Sequence, residues 1–374
     1  MIEISFVREL CFALERHTKQ LRAEMANTDV AVATLYDKYF GRDSKMLFTL
    51  LPCYVDTYRM LDIAKKQELN HKSTNEAGLA KVLAELSECE QKWNALLVEF
   101  DRRLIESQFN VSTGHTPPPR FVEADKISVV CCATNRPIML KNVLSKLHGR
   151  YTLLSVMRFY GCPNCYKHTS LLETMSQQFK DNTCNLVFAC RGSATGGHSW
   201  LKRVAISTPI LADVDGQLVD ALRMPRSVRA MCDADKLHKL TSVCLEQSTR
   251  SLILQAALHP TATSTLQVDS AVEQSECDTD GGNALRNGVN IRTALTSKGM
   301  IPCSPSSARR LFADFLDKTG YSHDDPIQDF YQLGGDVLIE NRTGRIVWIH
   351  RCATPTDQPA PDDILLAMRN DHVK

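Results

Sequence analysis

No run of eighteen or more apolar residues occurs anywhere in this chain, so no membrane-spanning helix is expected. Neither sign of charge dominates. The 44 Lys and Arg stand against 43 Asp and Glu, and the resulting net charge of +1 gives no electrostatic reason to expect nucleic acid or an anionic membrane as partner. The opening segment from Met1 to Phe12 has Glu3, Arg8 and Glu9 among its apolar residues and therefore no signal-peptide core. A cytoplasmic protein is expected, with the nucleus as the other compartment. Fourteen cysteines are present but without the regular spacing of a disulfide framework, so most are expected to be reduced, small core residues. A second C-x-x-C is missing, as is any His pair at metal-ligand spacing, and no metal and no cofactor is expected.

The one C-x-x-C that is present, Gly161-Cys162-Pro163-Asn164-Cys165, follows the apolar run Tyr151 to Met157 and precedes a helical pattern of Leu171, Leu172, Met175 and Phe179. The order is strand, tight turn, helix. Gly161 and Pro163 favour a helix start there, and the unpaired N–H groups and positive dipole end at that place stabilise a thiolate. Cys162 is therefore the residue best placed to be an acidic nucleophile, with Cys165 one turn behind it to close a disulfide. Zinc binding and an inert turn are the other readings of the motif. Arg158 and Lys167 are near enough in sequence to assist a thiolate, and His168 to donate a proton. Each is more often simply a solvated side chain. Arg191, after the Asn185 to Cys190 strand, would share a sheet edge with the dithiol if those strands are parallel.

The composition is that of a globular protein, 43% hydrophobic and 23% charged, and 374 residues suffice for two or three domains. Residues 1–109 read as helical, a bundle or hairpin of unknown role. Ile2, Phe6, Leu10, Leu14, Leu21 and Met25 mark one face of a first helix. A second helix follows, and a third carries Pro52, where a kink or break near Leu51 is expected. Leu79, Leu83, Leu86, Glu90, Trp93, Leu97, Phe100 and Leu104 form a heptad-like seam, read as a buried stripe in preference to an exposed coiled coil for self-association. Residues 110–120 are proline-rich linker. The strand-helix alternation over 121–231 starts a βαβ unit at Ile127 and implies a mainly parallel sheet. Residues 232–325 read as an insertion of helices plus a mobile, partly disordered polar loop. Over 326–374 the sheet resumes, with a hairpin across Asn341 to Gly344 and a final helix N-capped by Asp362 and Asp363.

Arg158-Phe-Tyr-Gly-Cys-Pro-Asn-Cys, Pro209-Ile-Leu-Ala-Asp and Gln332-Leu-Gly-Gly-Asp-Val-Leu-Ile-Glu, with the Arg345 strand and final helix, resemble the thioredoxin-like fold. More closely, they resemble the peroxiredoxin-like group of the alkyl hydroperoxide reductase and thiol-specific antioxidant (AhpC/TSA) superfamily, in its C-x-x-C branch. The resemblance covers about 121–231 and 326–374. It implies an α/β fold, a thioredoxin-like sheet flanked by helices, and a thiol-disulfide or peroxide oxidoreductase using Cys162 and Cys165. A peroxide or disulfide is then the substrate, and an external thiol such as thioredoxin or glutathione the reductant. Gly334 stands where thioredoxins place a cis-proline, so a thioredoxin-type substrate edge is not expected. Phe159 stands where peroxiredoxins carry Thr or Ser, so a hydroxyl to polarise peroxide is missing. The alternative is a non-catalytic thioredoxin-like scaffold acting through its helical N-terminal region.

Overall fold

The computed structural model describes residues 2–27, 30–41, 45–75, 77–109, 117–204, 206–258, 303–304, 306–310, 325 and 329–372. Five helices come first: α1 (Ile2–Ala26), α2 (Val32–Tyr39), α3 (Lys45–Leu61), α4 (Lys66–Asn75) and the 33-residue α5 (Ala77–Phe109). The sheet region follows with β1 (Ser128–Cys131), β2 (Arg136–Met139), α6 (Leu140–Lys146), β3 (Tyr151–Met157), α7 (Pro163–Thr174), α8 (Ser176–Asp181), β4 (Cys184–Cys190), α9 (Ala194–Arg203) and β5 (Ile210–Ala212). Three helices, α10 (Gln217–Ala221), α11 (Arg229–Cys232) and α12 (Ala234–Leu258), lead toward β6 (Gly335–Glu340), β7 (Ile346–Arg351) and α13 (Pro361–His372).

The strands form one seven-stranded sheet in the order β2-β1-β5-β4-β3-β6-β7. Successive side chains along a strand face opposite sides, and the buried residues sort accordingly. Leu153 and Met157 of β3 and Leu186, Phe188 and Cys190 of β4 join one core with Leu172, Phe179, Trp200 and Met368 of the covering helices. Leu154, Val156, Val187 and Ala189 face the other way, against Leu140 and Leu144 of α6 and Leu218 and Leu222 of α10. Both faces of β3 and β4 are thus covered, which is why these strands read as continuous apolar runs.

The sheet is mixed, a correction to the mainly parallel arrangement expected. Only β3 with β4 and β4 with β5 pair in parallel; β1 is antiparallel to both β2 and β5, and β6 to both β3 and β7. No βαβ unit begins at Ile127, because the chain turns back at Asn135 (φ 52°) and β2 pairs directly with β1. So short a connection joins only antiparallel strands. The helix expected to run on from the dithiol through Phe179 divides at Met175, which has left helical geometry (ψ 8°). The redirection buries Phe179 and leaves Leu171 exposed.

In the helical layer the α5 seam is intramolecular: Leu86, Trp93, Leu97, Phe100 and Leu104 are buried against the rest of the chain. α3 continues through Pro52 without the expected break. Most of its side chains are buried, and that packing outweighs the lost intrahelical hydrogen bond. Within the expected insertion, α12 packs on α3 and α5 as part of the same layer. The polar stretch that follows, and most of the helix expected from Ala308, lie outside the described residues. The apolar cluster runs without interruption from α1 into one sheet face. Hydrogen bonds among the described residues help join the two parts: Trp93 Nε1 donates to the Cys232 carbonyl at 2.7 Å, the Asp101 carboxylate accepts from Ser227 Oγ and Val228 N, and Tyr36 Oη donates to Asp329. In α13, Asp362 and Asp363 stand in the first turn after Pro361 rather than ahead of it, where they face the positive end of the helix.

Candidate functional site

The end of β3 delivers the chain into the site. Gly161 takes a left-handed conformation (φ 84°), Cys162 occupies the N-cap of α7, Pro163 is its first residue and Cys165 lies in its first turn. This is the geometry in which proline's fixed φ and missing N–H cost nothing. Cys162 and Cys165 are 1% and 4% exposed, and both are free thiols.

Their environments differ in sign. The Cys162 thiol is pulled down to about 6 by a hydrogen bond from Cys165, the Arg158 charge and the N–H groups of Cys165 and Asn164, which together overcome the opposing effect of burial. The Cys165 thiol is pushed well up by that same bond to Cys162, by burial and by the Cys162 charge. Both shifts favour carrying a negative charge on Cys162 rather than on Cys165. Arg158 is its counter-ion: the side chain is 2% exposed, with Nη1 3.8 Å from Cys162 Sγ, while its backbone N–H reaches Cys165 Sγ at 3.4 Å. Two carbonyls from a distant part of the chain fix the guanidinium, Phe330 O on Nη2 at 2.6 Å and Gln332 O on Nε at 3.2 Å. A thiolate on Cys162 would place a compensating charge beside this buried cation.

The other expected residues part company. His168 is buried, with Nε2 2.7 Å from Asp336 Oδ2 of β6, and Asp336 Oδ1 has no hydrogen-bond partner among the described residues. Lys167 points to solvent and is not among the groups that shift either thiol. Arg191 does end a strand parallel to β3, as expected from the Met157–Cys190 pairing. Its guanidinium lies against Gly216 in the turn after β5, and its buried Nε finds no partner among the described residues. Asp336 and Cys352 were missed by the sequence reading. The signal for Asp336 is a lone carboxylate inside a β run otherwise buried; Cys352 carries none.

Gly334 and Phe159 account for the two departures from the family pattern. A side chain at Gly334 would collide with the Val156 carbonyl oxygen, so glycine lets the chain entering β6 close onto the end of β3. Phe159 is buried, 5.1 Å from the Phe330 ring in an edge-to-face contact, with the Arg158 guanidinium 5.3 Å from its ring centroid, so this position contributes apolar surface and no hydroxyl. Among the described residues no group of three His, Cys, Asp or Glu is placed to hold a metal ion, and no helix is long and apolar enough to cross a membrane.

A central strand that ends in a helix-capping thiol, with a parallel strand on one side and an antiparallel hairpin on the other, defines the thioredoxin-like class of fold. Residues 136–243 match the model of the AhpC/TSA family, and the chain carries a peroxiredoxin-like domain of that fold. Among solved structures the chain is similar to a cysteine-to-serine mutant of PrxQ from Xylella fastidiosa, at 13% identity over 29% of this chain and 67% of that one, with a TM-score of 0.26. No curated protein matches.

Proposed function

We propose that the protein is a thiol-dependent peroxide oxidoreductase in which Cys162 is the nucleophile and Cys165 the resolving thiol. The observation that carries this reading is the charge asymmetry of the pair: a thiolate on Cys162, stabilised by Arg158 and the α7 N-terminus, beside a protonated Cys165. In the first step the Cys162 thiolate attacks the O–O bond of a hydroperoxide. The distal oxygen stays on sulfur as sulfenic acid, and the alkoxide or hydroxide leaves with one proton as alcohol or water. In the second step Cys165 loses its proton and attacks the Cys162 sulfur, releasing water and forming the 162/165 disulfide. Two reducing equivalents from an external thiol restore the pair.

The near-complete burial of Cys162 favours a small hydroperoxide over a disulfide on another protein. Coupled peroxide consumption with wild type and Cys162→Ser tests the reading, together with peptide mapping after mild oxidation. Turnover lost in Cys162→Ser and a mapped 162/165 disulfide are expected. Unchanged consumption in the variant, or no such disulfide, would replace the enzyme reading by the scaffold one.

A further inference from the structure

Residues 329–332 run past Arg158 as a strap, a turn in which the Gln332 N–H donates to the Asp329 carbonyl at 3.2 Å. Two of its carbonyls are those that hold the Arg158 guanidinium, Phe330 O on Nη2 at 2.6 Å and Gln332 O on Nε at 3.2 Å. The C-terminal end of the strap is tied to the sheet half. The Gln332 side chain donates to the Met224 and Pro225 carbonyls, Ser227 N to the Tyr331 carbonyl, and Leu333 N to the Pro225 carbonyl. The N-terminal end is tied through the Asp329 carboxylate, and there the helical layer takes part. Tyr36 Oη of α2 donates to Asp329 Oδ1 at 2.6 Å, Tyr331 N to the same oxygen at 2.9 Å, and Arg226 Nε to Oδ2 at 2.9 Å.

Tyr36 is buried, its ring packs edge-on against Tyr331 at 6.0 Å, and the Arg226 guanidinium lies 5.8 Å from its centroid. Burial and the Asp329 charge push its phenol well up, so it stays a donor. A guanidinium is a rigid planar fork, so contacts that fix two of its nitrogens fix the third. The third here is Nη1, 3.8 Å from Cys162 Sγ. Asp329 adjoins Phe330 in the chain, so its anchor governs the shorter of the two clamps on Arg158.

We propose that Tyr36 is a positioning residue for the dithiol, its hydrogen bond to Asp329 holding the strap so that Arg158 stays beside Cys162. The helical layer thereby acts, through α2, on a site whose two thiols lie in the sheet half. The consequence for turnover rests on the proposed oxidoreductase reading. The effect on the thiol does not. Among the described residues the titratable groups that face Cys162 are Cys165 of α7, Arg158 after β3, Cys190 of β4 and Cys352 after β7. Burial pushes Cys190 and Cys352 up and keeps them neutral, which leaves Arg158 as the cation whose placement matters.

The test is the pH profile of Cys162 alkylation by iodoacetamide in the reduced full-length chain, read by peptide mass spectrometry. Tyr36→Phe keeps the ring and removes only the donor. Its inflection should lie about half a pH unit or more above that of wild type, which slows Cys162 by about threefold at pH 5. Asp329→Ala, which cuts the anchor from the strap side, should shift it at least as far and decides the matter if Tyr36→Phe fails to fold. Glu90→Leu disturbs the helical layer elsewhere and should leave the inflection in place. In an Arg158→Met background Tyr36→Phe should add nothing, because its effect passes through that side chain. An inflection unmoved in Tyr36→Phe, moved as far by Glu90→Leu, or moved as far with Arg158 replaced would overturn the proposal. A shifted inflection in a protein that consumes no peroxide keeps the role of Tyr36 and removes the oxidoreductase reading; peroxide consumption with an unmoved inflection does the reverse.

Discussion

At the scale of single residues the site is a balance of buried charges. Because the Cys162 thiol is drawn below its ordinary value, its alkylation rate should rise through a pH of about 6 and level off above it, while Cys165 stays slow across the neutral range. Rates from mass spectrometry over a pH series check the order. Replacing Arg158 by Met removes the counter-ion, moves that inflection upward, and should slow Cys162 at neutral pH by about tenfold. A profile that does not move would assign the low value to the Cys165 hydrogen bond and the helix start. The pair of His168 and Asp336 permits a second prediction. Asp336→Ala strands a buried imidazole without its hydrogen-bond partner and should cost about 1–3 kcal/mol in urea unfolding, whereas Leu at both positions should restore much of that loss. Equal losses in the single and double variants would show that the two residues are not coupled.

At the scale of elements, three helices are tied by one buried polar network. Glu90 of α5 accepts from Tyr54 Oη of α3 at 2.9 Å and lies 2.8 Å from His238 Nε2 of α12, whose Nδ1 is 2.7 Å from Tyr58 Oη. The polar residue that interrupts the α5 seam is therefore the junction of the helical layer. Glu90→Leu keeps the apolar stripe but leaves Tyr54 without its acceptor and His238 without the carboxylate beside it, and a destabilisation of about 1–3 kcal/mol is expected by urea unfolding. A neutral or stabilising result would show the network to be dispensable. The seam itself was legible because period-3.5 burial is local. Its junction role was not, since α12 is distant in sequence and no periodicity announces which helix will pack on which.

At the scale of the whole molecule, the helical layer and the sheet share one apolar cluster. Residues 1–109 expressed alone should give a helical circular dichroism spectrum, because their stripes pack on one another. They should also bind a hydrophobic dye, because Trp93 and Phe40 lose their cover from α11 and Tyr331. A random-coil spectrum would mean that the layer forms only on the sheet. Local chemistry in the chain determined the dithiol turn: an apolar run long enough for a strand, Gly161 to turn left-handed, Pro163 to begin a helix, and two thiols at its start. It likewise determined the β6–β7 hairpin. Only the tertiary structure decided that Arg158 would be clamped by carbonyls about 170 residues away and that His168 would meet Asp336. Local sequence sets backbone conformation within a turn or a strand. Those contacts depend on which strands become neighbours, and that is chosen by burying both faces of the sheet at once.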